Sequence, residues 1–311
     1  MSSSEGRTVI EALRTPDDRF RGLPGWDHRP SYVEDLPGYE GLRAHYVDLG
    51  PRDAVDTYLL LHGEPTWAYL YRKMIPVFLA AGGRVVAPDF FGFGRSDKPV
   101  AQAVYGFDFH RDYLLRLVER LDLTGITLVV QDWGGLLGLT LPMDAGFAPR
   151  LSRLLAMNTG LAVGISPGKG FENWRAYVAA HPDLAVGALL KRSVPTLSDA
   201  EAAAYDAPFP DASYKAGVRA FPQLVMTKPD MPGVEISRAA ERFWSGWEGA
   251  SFLAVGAQDP VLGVPAMDRL RRTIRGAPAP LVLADAGHFV QERGDVVARA
   301  ALTSFARTAR D

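Results

Sequence analysis

The chain has 311 residues, which is enough for one large domain or for a domain with an insertion. Its hydrophobic fraction of 47%, charged fraction of 23% and net charge of -2 are ordinary for a globular protein and give no electrostatic reason to expect nucleic acid or an anionic membrane as a partner. Cysteine is absent, which excludes disulfides, thiol catalysis and cysteine-ligated zinc and fits a cytoplasmic protein. No apolar run reaches the length of about 18 residues needed to span a membrane. Residues 1–7 lack a basic segment followed by an apolar one, so we expect no signal peptide.

The first 35 residues are rich in proline, glycine and charge, and we expect them to form a surface arm. Strand-like and helix-like runs then alternate. The predicted strands are Arg43–Leu49, Thr57–Leu61, Arg84–Ala87, Ile126–Val130, Leu154–Met157, Ser251–Val255 and Pro280–Leu283. The predicted helices are Trp67–Ala80, Phe107–Leu121, Gly135–Ala145 and Val290–Thr308. This alternation with short connections predicts a mainly parallel sheet with helices on both faces.

The alternation stops after Met157. Residues 160–230 contain helical patterns and many prolines, with no convincing strand; examples are Asp199–Tyr205, preceded by Ser198 as a cap, and Lys215–Arg219. An insertion here lies at the carboxyl edge of the strands, where open α/β sheets bind ligands. We therefore predict a core formed by residues 1–159 and 231–311 and a helical cap formed by residues 160–230.

A short turn follows the strand Ile126–Val130 and precedes a helical pattern. It reads Gln-Asp-Trp-Gly-Gly over residues 131–135. A strand, tight turn and helix of this kind form the nucleophile elbow of α/β hydrolases, where serine is usual. Here Asp132 occupies that position, and a carboxylate displaces a leaving group from carbon without a base to activate it. The turn therefore points to carbon–halogen or epoxide chemistry, although aspartate in a turn also serves simply to cap a helix.

A second loop follows the strand Thr57–Leu61 and begins His62-Gly63-Glu64. In this fold the equivalent loop supplies one oxyanion-hole N–H and the residue after the nucleophile supplies the other, which indicates the backbone groups of Glu64 and Trp133. The alternative is a plain strand-to-helix turn.

A third loop, residues 88–99, has the pattern D-x-x-G-x-G-x-S. We assign it a structural role, with Asp89 and Arg95 as a candidate pair.

The catalytic histidine of the fold follows the last strand, where this chain has His288. The candidate acid is Asp259, directly after Ser251–Val255, which preserves the order nucleophile, acid, histidine. Asp285 is close to His288 in sequence, and a surface turn is the alternative role for Asp259.

Together these motifs make the chain resemble the haloalkane dehalogenases of the α/β-hydrolase fold. The residues that carry the resemblance are His62–Trp67, Val129–Gly135, Gly256–Gly263 and Asp285–Glu292, and the similarity runs from about residue 40 to the end. Residues 207–211 and 214–219 resemble the branch of the family with two tryptophan halide ligands. The resemblance implies a mostly parallel eight-stranded sheet with helices on both faces and an inserted helical cap.

The resemblance also implies a two-step hydrolysis. Asp132 attacks the carbon that bears the halogen and forms an alkyl ester with the enzyme. His288 then takes a proton from water, the hydroxide attacks the ester, and Asp259 holds the imidazole. The backbone N–H groups of Glu64 and Trp133 stabilise the oxyanion. The products are an alcohol, halide and a proton, and the reaction needs no metal and no organic cofactor.

The leaving halide needs hydrogen-bond donors because an unpaired buried anion is costly. The indole of Trp133 is one candidate. Many relatives use an asparagine at the position of Glu64, whose ionised carboxylate would repel halide, so we expect the second donor to be Trp174 of the cap. Asn158 occupies the alternative acid position of the fold and is not ionisable, which favours Asp259. The residues expected to line an apolar substrate pocket are Phe171, Leu136, Phe221 and Phe289.

The expected partners are therefore a small apolar halogenated substrate, halide and water, and we expect a cytoplasmic, monomeric enzyme of detoxification.

The nearest alternative is an epoxide hydrolase, which needs phenol donors such as Tyr177, Tyr205 or Tyr214. A fluoroacetate-type dehalogenase should carry arginine near the elbow, and residues 131–140 contain none. A non-catalytic ligand-binding protein usually lacks a member of the triad.

Overall fold

The computed structural model describes residues 10–308. Residues 1–9 of the predicted arm, with the segment considered for a signal peptide, and residues 309–311 of the predicted core lie outside this range. Between residues 10 and 308, no helix is both long and apolar enough to cross a membrane.

The elements of the described chain alternate largely as the sequence predicts. The strands are β1 Ala12–Leu13, β2 Ser31–Val33, β3 Ala44–Leu49, β4 Thr57–Leu61, β5 Arg84–Pro88, β6 Lys98–Pro99, β7 Ile126–Gln131, β8 Leu151–Met157, β9 Ala250–Gly256 and β10 Leu281–Leu283. The α-helices are α1 Ile75–Ala80, α2 Phe107–Arg120, α3 Trp133–Gly138, α4 Lys169–Ala180, α5 Val186–Ser193, α6 Asp199–Asp206, α7 Ala216–Leu224, α8 Val234–Ser245, α9 Val264–Thr273 and α10 Gly294–Thr308. Short 3-10 turns cover Asp17–Phe20, Ala68–Tyr71, Gln102–Val104, Leu141–Met143, Ala148–Arg150, Ala212–Lys215 and Val290–Arg293.

Eight strands form one sheet in the order β10-β9-β8-β7-β4-β5-β3-β2. The pairings of β2 with β3 and of β3 with β5 are antiparallel, and the other five are parallel. The prediction of a mostly parallel eight-stranded sheet is confirmed. Every residue of β4 and β7 is buried because both faces of the sheet are covered, which accounts for their largely apolar composition.

Three predicted helices are shorter than expected, and one of them, Val290–Thr308, begins as a 3-10 turn and is α-helical only from Gly294. The run Trp67–Ala80 divides into a 3-10 turn and α1, and Pro76 lies in the first turn of α1, where it is tolerated. The run Gly135–Ala145 ends as an α-helix at Gly138, and a 3-10 turn containing Pro142 follows. Conversely, β2 lies within the predicted surface arm; its three residues are too few to show a strand pattern.

Helices α4–α8 lie between β8 and β9, and the described segment 160–230 contains no strand. Ser198 caps α6 as predicted, in a reciprocal capping box with Glu201. The predicted helix Lys215–Arg219 is the end of a 3-10 turn followed by α7. Helix α8 packs on the core, since the Trp244 indole donates to the Leu139 carbonyl over 2.8 Å. This hydrogen bond supports the proposed boundary, in which residues 231–311 belong to the core.

A buried ionic cluster joins the cap to the core. The guanidinium of Arg72 donates to both carboxylate oxygens of Glu292, each over 2.7 Å, and to Glu201 of α6 over 2.9 Å. The Tyr205 hydroxyl, also on α6, donates to Glu292. Because Glu292 lies four residues after His288, this cluster ties the cap to the chain segment that carries the histidine.

Candidate active site

Asp132 lies between β7 and α3 with φ 48° and ψ -125°, a left-handed backbone conformation that is strained for a non-glycine residue. The two glycines after Trp133 make this turn possible. A Cβ at Gly134 would lie 2.0 Å from the Leu61 carbonyl oxygen, and one at Gly135 would lie 1.9 Å from Thr159 Oγ1. The start of α3 therefore lies closer to the end of β4 and to Thr159 than any side chain would permit. Asp132 lies at the carboxyl edge of the sheet.

The Asp132 carboxylate faces both the loop that contains Glu64 and the histidine. Its Oδ2 accepts the Glu64 backbone N–H over 2.9 Å, and its Oδ1 lies 3.7 Å from His288 Nε2. Burial raises the pKa of Asp132, while His288 and the backbone N–H groups of Trp133 and Glu64 oppose that rise. The neighbouring Gly63 has no room for a side chain, because its Cβ would lie 2.5 Å from the Cβ of Asp132.

His288 and Asp259 form a close pair, with 2.7 Å between His288 Nδ1 and Asp259 Oδ2. The other oxygen of Asp259 accepts the backbone N–H groups of Val261, over 2.9 Å, and Leu262, over 3.0 Å. Burial opposes ionisation of Asp259, but the attraction of His288 and these N–H groups hold its pKa well below the usual range. Burial also lowers the pKa of His288, and the charges of Asp259 and Asp132 outweigh this and raise it to about 9.

Asn158 supports the acid rather than replacing it. Its Nδ2 donates to Asp259 Oδ2 over 3.0 Å and to the Gly256 carbonyl over 3.2 Å, and its Oδ1 accepts the Gly256 N–H over 2.8 Å. Asp285 is turned away and pairs with Arg293. The structure therefore brings Asp259, and not Asp285, to the histidine.

Gln131 is a site residue that the sequence did not single out. Its Nε2 lies 2.9 Å from His288 Nε2 and donates to the His288 carbonyl over 3.2 Å. An amide N–H can donate only to an unprotonated Nε2, so this contact is made by the neutral imidazole with its proton on Nδ1, and it opposes the charges of Asp259 and Asp132, which favour the protonated ring. Its position directly before Asp132 was the only sequence signal available.

A cavity of about 750 Å³ lies over the elbow, between core and cap. The predicted site residues that line it are Glu64, Asp132, Trp133, Leu136, Phe171, Trp174, Asp259, His288 and Phe289. The prediction that Phe221 lines the pocket is wrong. This residue is fully buried and absent from the cavity wall, because its ring packs edge-on against Trp133 at 4.7 Å between centroids, and its neighbour Pro222 reaches the cavity instead.

Trp174 reaches the cavity from α4, and its interaction with the carboxyl of Glu64 acts to lower the pKa of that group. The indole has only its N–H to offer, so the carboxyl is the acceptor. Burial and the neighbouring Asp132 raise the pKa of Glu64 well above its usual range, and the contact with Trp174 only partly opposes this.

The third loop is structural, as predicted, but its pairing differs. Asp89 is buried and binds His45 Nδ1 over 2.7 Å and the backbone N–H of Arg95 over 2.7 Å. The Arg95 guanidinium instead pairs with Asp17. The predicted Asp89–Arg95 pair is therefore wrong at the side chain of Arg95, because the arm supplies a nearer carboxylate.

The phenol groups that an epoxide hydrolase would require do not line the cavity. Among the described residues that line the cavity there is no tyrosine, and the Tyr205 hydroxyl is engaged by Glu292 and Arg72. The described residues also contain no group of three or more histidine and acidic side chains arranged to hold a metal ion.

Comparison with known proteins agrees with this geometry. Residues 58–295 match the family model of the alpha/beta hydrolase fold, which defines the class of protein. Haloalkane dehalogenases from Psychrobacter cryohalolentis and Mycobacterium marinum are 45% and 44% identical over 93% and 91% of this chain and 96% and 95% of their own length.

Solved structures give the same result. Haloalkane dehalogenase DpaA from Paraglaciecola agarilytica, described as tetrameric, matches with a TM-score of 0.93 and 51% identity over 95% of this chain and 99% of that one. Dehalogenase DbeA from Bradyrhizobium elkani matches with a TM-score of 0.75 and 26% identity over 90% of this chain and 100% of that one. The chain belongs to the haloalkane dehalogenases, hydrolases that act on carbon–halogen bonds. An epoxide hydrolase is not favoured.

Proposed function

We propose that the chain hydrolyses haloalkanes through an alkyl ester on Asp132. A carboxylate oxygen of Asp132 attacks the carbon that bears the halogen, the new C–O bond replaces the carbon–halogen bond, and halide departs with the bonding electrons. The Glu64 N–H bond to Asp132 Oδ2 supports this role, because it fixes the carboxylate in one orientation at the floor of the cavity.

The halide departs between the indoles of Trp133 and Trp174. Both side chains line the cavity beside Asp132, and an indole N–H donates without presenting a lone pair to an anion. Phe221 packs against Trp133 from behind and keeps that ring in place.

The ester is then hydrolysed. His288 takes a proton from water through Nε2, and the hydroxide attacks the carbonyl carbon of the esterified Asp132. The N–H groups of Glu64 and Trp133 stabilise the resulting oxyanion, and losing one such donor typically costs about 3 kcal/mol. Asp259 keeps the histidine proton on Nδ1 and stabilises the imidazolium that forms.

One observation carries this proposal above the others: the Asp132 carboxylate lies 3.7 Å from His288 Nε2, and Asp259 is 2.7 Å from the other ring nitrogen. This order places the nucleophile in front of the base and the acid behind it. A water molecule that bridges to Nε2 is then next to the ester carbonyl.

The test is a stable adduct. His288→Ala should still be alkylated and should not hydrolyse the ester, so mass spectrometry after incubation with a dihaloalkane should show the added alkyl mass on the peptide that contains Asp132. Asp132→Asn in the same background is the matched control and should show none. Absence of an adduct from correctly folded His288→Ala, while the parent enzyme releases halide, would overturn the mechanism.

We also propose a cytoplasmic location and a role in detoxification. The absence of cysteine supports a cytoplasmic location, and detoxification would follow from haloalkane hydrolysis. The monomer expected from the sequence finds no support, since the similar DpaA structure is described as tetrameric. Light scattering would distinguish the single-chain mass of 33.9 kDa from that of a tetramer.

A further inference from the structure

The side chain of Glu64 is not explained by the backbone role of that residue. Glu64 is 5% exposed, lines the cavity beside the nucleophile, and its Oε1 is buried without a hydrogen-bond partner. Among the interactions that act on its pKa, only that with Trp174 favours the ionised form. An ionised carboxylate with this little compensation is costly in a buried site.

We propose that Glu64 is a protonated carboxylic acid in the working enzyme and that its O–H donates to the departing halide, together with the indoles of Trp133 and Trp174. This proposal rests on the proposed function, because it assigns a third donor to the same halide.

The distribution of hydrogen bonds decides which of the two neighbouring carboxyls carries the charge. Asp132 accepts the backbone N–H of Glu64 over 2.9 Å and lies 3.7 Å from His288 Nε2, whereas Oε1 of Glu64 has no hydrogen-bond partner. Two carboxyls in one buried site do not both ionise readily, and the better-solvated one keeps the charge. The raised pKa of Glu64, caused by burial and then by Asp132, agrees with this distribution.

Among the described residues that line the cavity, no cation lies close enough to Glu64 to favour its ionised form over that of Asp132. The other ionisable groups that line the cavity are Asp132, Asp259, His288, Glu241 and Arg269. His288 is already paired with Asp259, and Arg269 is exposed. The field at Glu64 therefore comes chiefly from Asp132.

Protonation changes what the leaving halide meets. As the ester forms, the negative charge moves from Asp132 to the halide, and no proton is transferred. An ionised Glu64 would be a second anion beside the halide and would hold the Trp174 N–H tightly as a charged acceptor. A neutral Glu64 instead offers its own O–H and releases the indole to turn towards the halide.

Two substitutions separate the neutral from the ionised form. Bromide binding, followed by quenching of tryptophan fluorescence, is measured in the parent and in Glu64→Gln and Glu64→Met. Glutamine is neutral and retains a donor, so its bromide affinity should stay within about threefold of the parent. Methionine has a similar shape and no donor, so its affinity should fall by about tenfold or more, as expected when one hydrogen bond to an anion is lost.

The opposite results would overturn the proposal. Bromide affinity in Glu64→Gln that rises about tenfold would mean that Glu64 is normally ionised and repels the anion. Equal affinity in the glutamine and methionine variants would remove the donor role. Glu241→Gln is the matched control, since it removes one carboxyl elsewhere on the cavity wall and should leave bromide affinity unchanged.

A second measurement reads the protonation state directly. Infrared difference spectra on adding bromide should show a shifted carbonyl band from a protonated carboxyl in the parent and no such band in Glu64→Gln. A carboxylate band in its place would refute the neutral form. The adduct test on Asp132 is independent: if the adduct forms and these results fail, only the assignment of Glu64 is wrong.

Discussion

Replacing Asn158 with alanine should destabilise the protein by about 5 kcal/mol. The residue is fully buried and makes three hydrogen bonds, two to the backbone of Gly256 and one to the carboxylate of Asp259. Each neutral bond contributes about 1 kcal/mol and the bond to a charged group about 2 kcal/mol. Asn158 also has a φ of 31°, and alanine in that conformation costs about 1 kcal/mol more than asparagine.

Urea unfolding measures this loss. Asn173→Ala is the matched control, because that side chain is exposed on α4 and its removal should change the free energy of unfolding by less than about 0.5 kcal/mol. Where Asn158→Ala remains folded, Asp259 is held less firmly and ester hydrolysis should slow, while alkylation of Asp132 continues and the adduct accumulates. A loss of less than about 1 kcal/mol at Asn158 would refute this account of the acid's support.

Three further predictions concern the nucleophile, the halide and the base. Gly63→Ala should reduce halide release by about 100-fold, because its Cβ would lie 2.5 Å from the Cβ of Asp132; Gly106→Ala, with nothing within 4 Å, is the control. Trp174→Phe should weaken bromide binding about tenfold in a fluorescence titration, and unchanged affinity would exclude the indole as a donor. Ester hydrolysis in single turnovers should accelerate as pH rises, since only neutral His288 accepts a proton; its midpoint should lie below the pKa of about 9 of the free enzyme, because esterification removes the charge on Asp132 that raises it. A rate independent of pH would contradict this assignment.

The sequence was most informative where chemistry and topology coincide. The buried runs of β4 and β7 predicted the central strands, and the polar residues after β7, β9 and β10 proved to meet at one edge of the sheet. Parallel strands bring their carboxyl ends together, so order along the chain was enough to predict that Asp132, Asp259 and His288 lie close together.

Contacts made by single side chains were harder to predict. Phe221 was assigned to the pocket because it is aromatic and lies in the cap, but the face of a helix that reaches a cavity depends on tertiary packing. Gln131 and Asn158 are polar residues whose partners come from distant loops, and no local pattern reveals those partners. The contact between Trp174 and Glu64 also depends on how the cap lies on the core.

The origin of the oxygen atom in the alcohol product tests the central claim most directly. In a single turnover in water labelled with heavy oxygen, attack of water on the ester carbonyl should place the label in the carboxylate of Asp132 and leave the alcohol unlabelled. Mass spectrometry of the Asp132 peptide and of the product measures both. Label in the alcohol, with none in Asp132, would show that water attacks the substrate directly and would contradict a covalent ester on the enzyme.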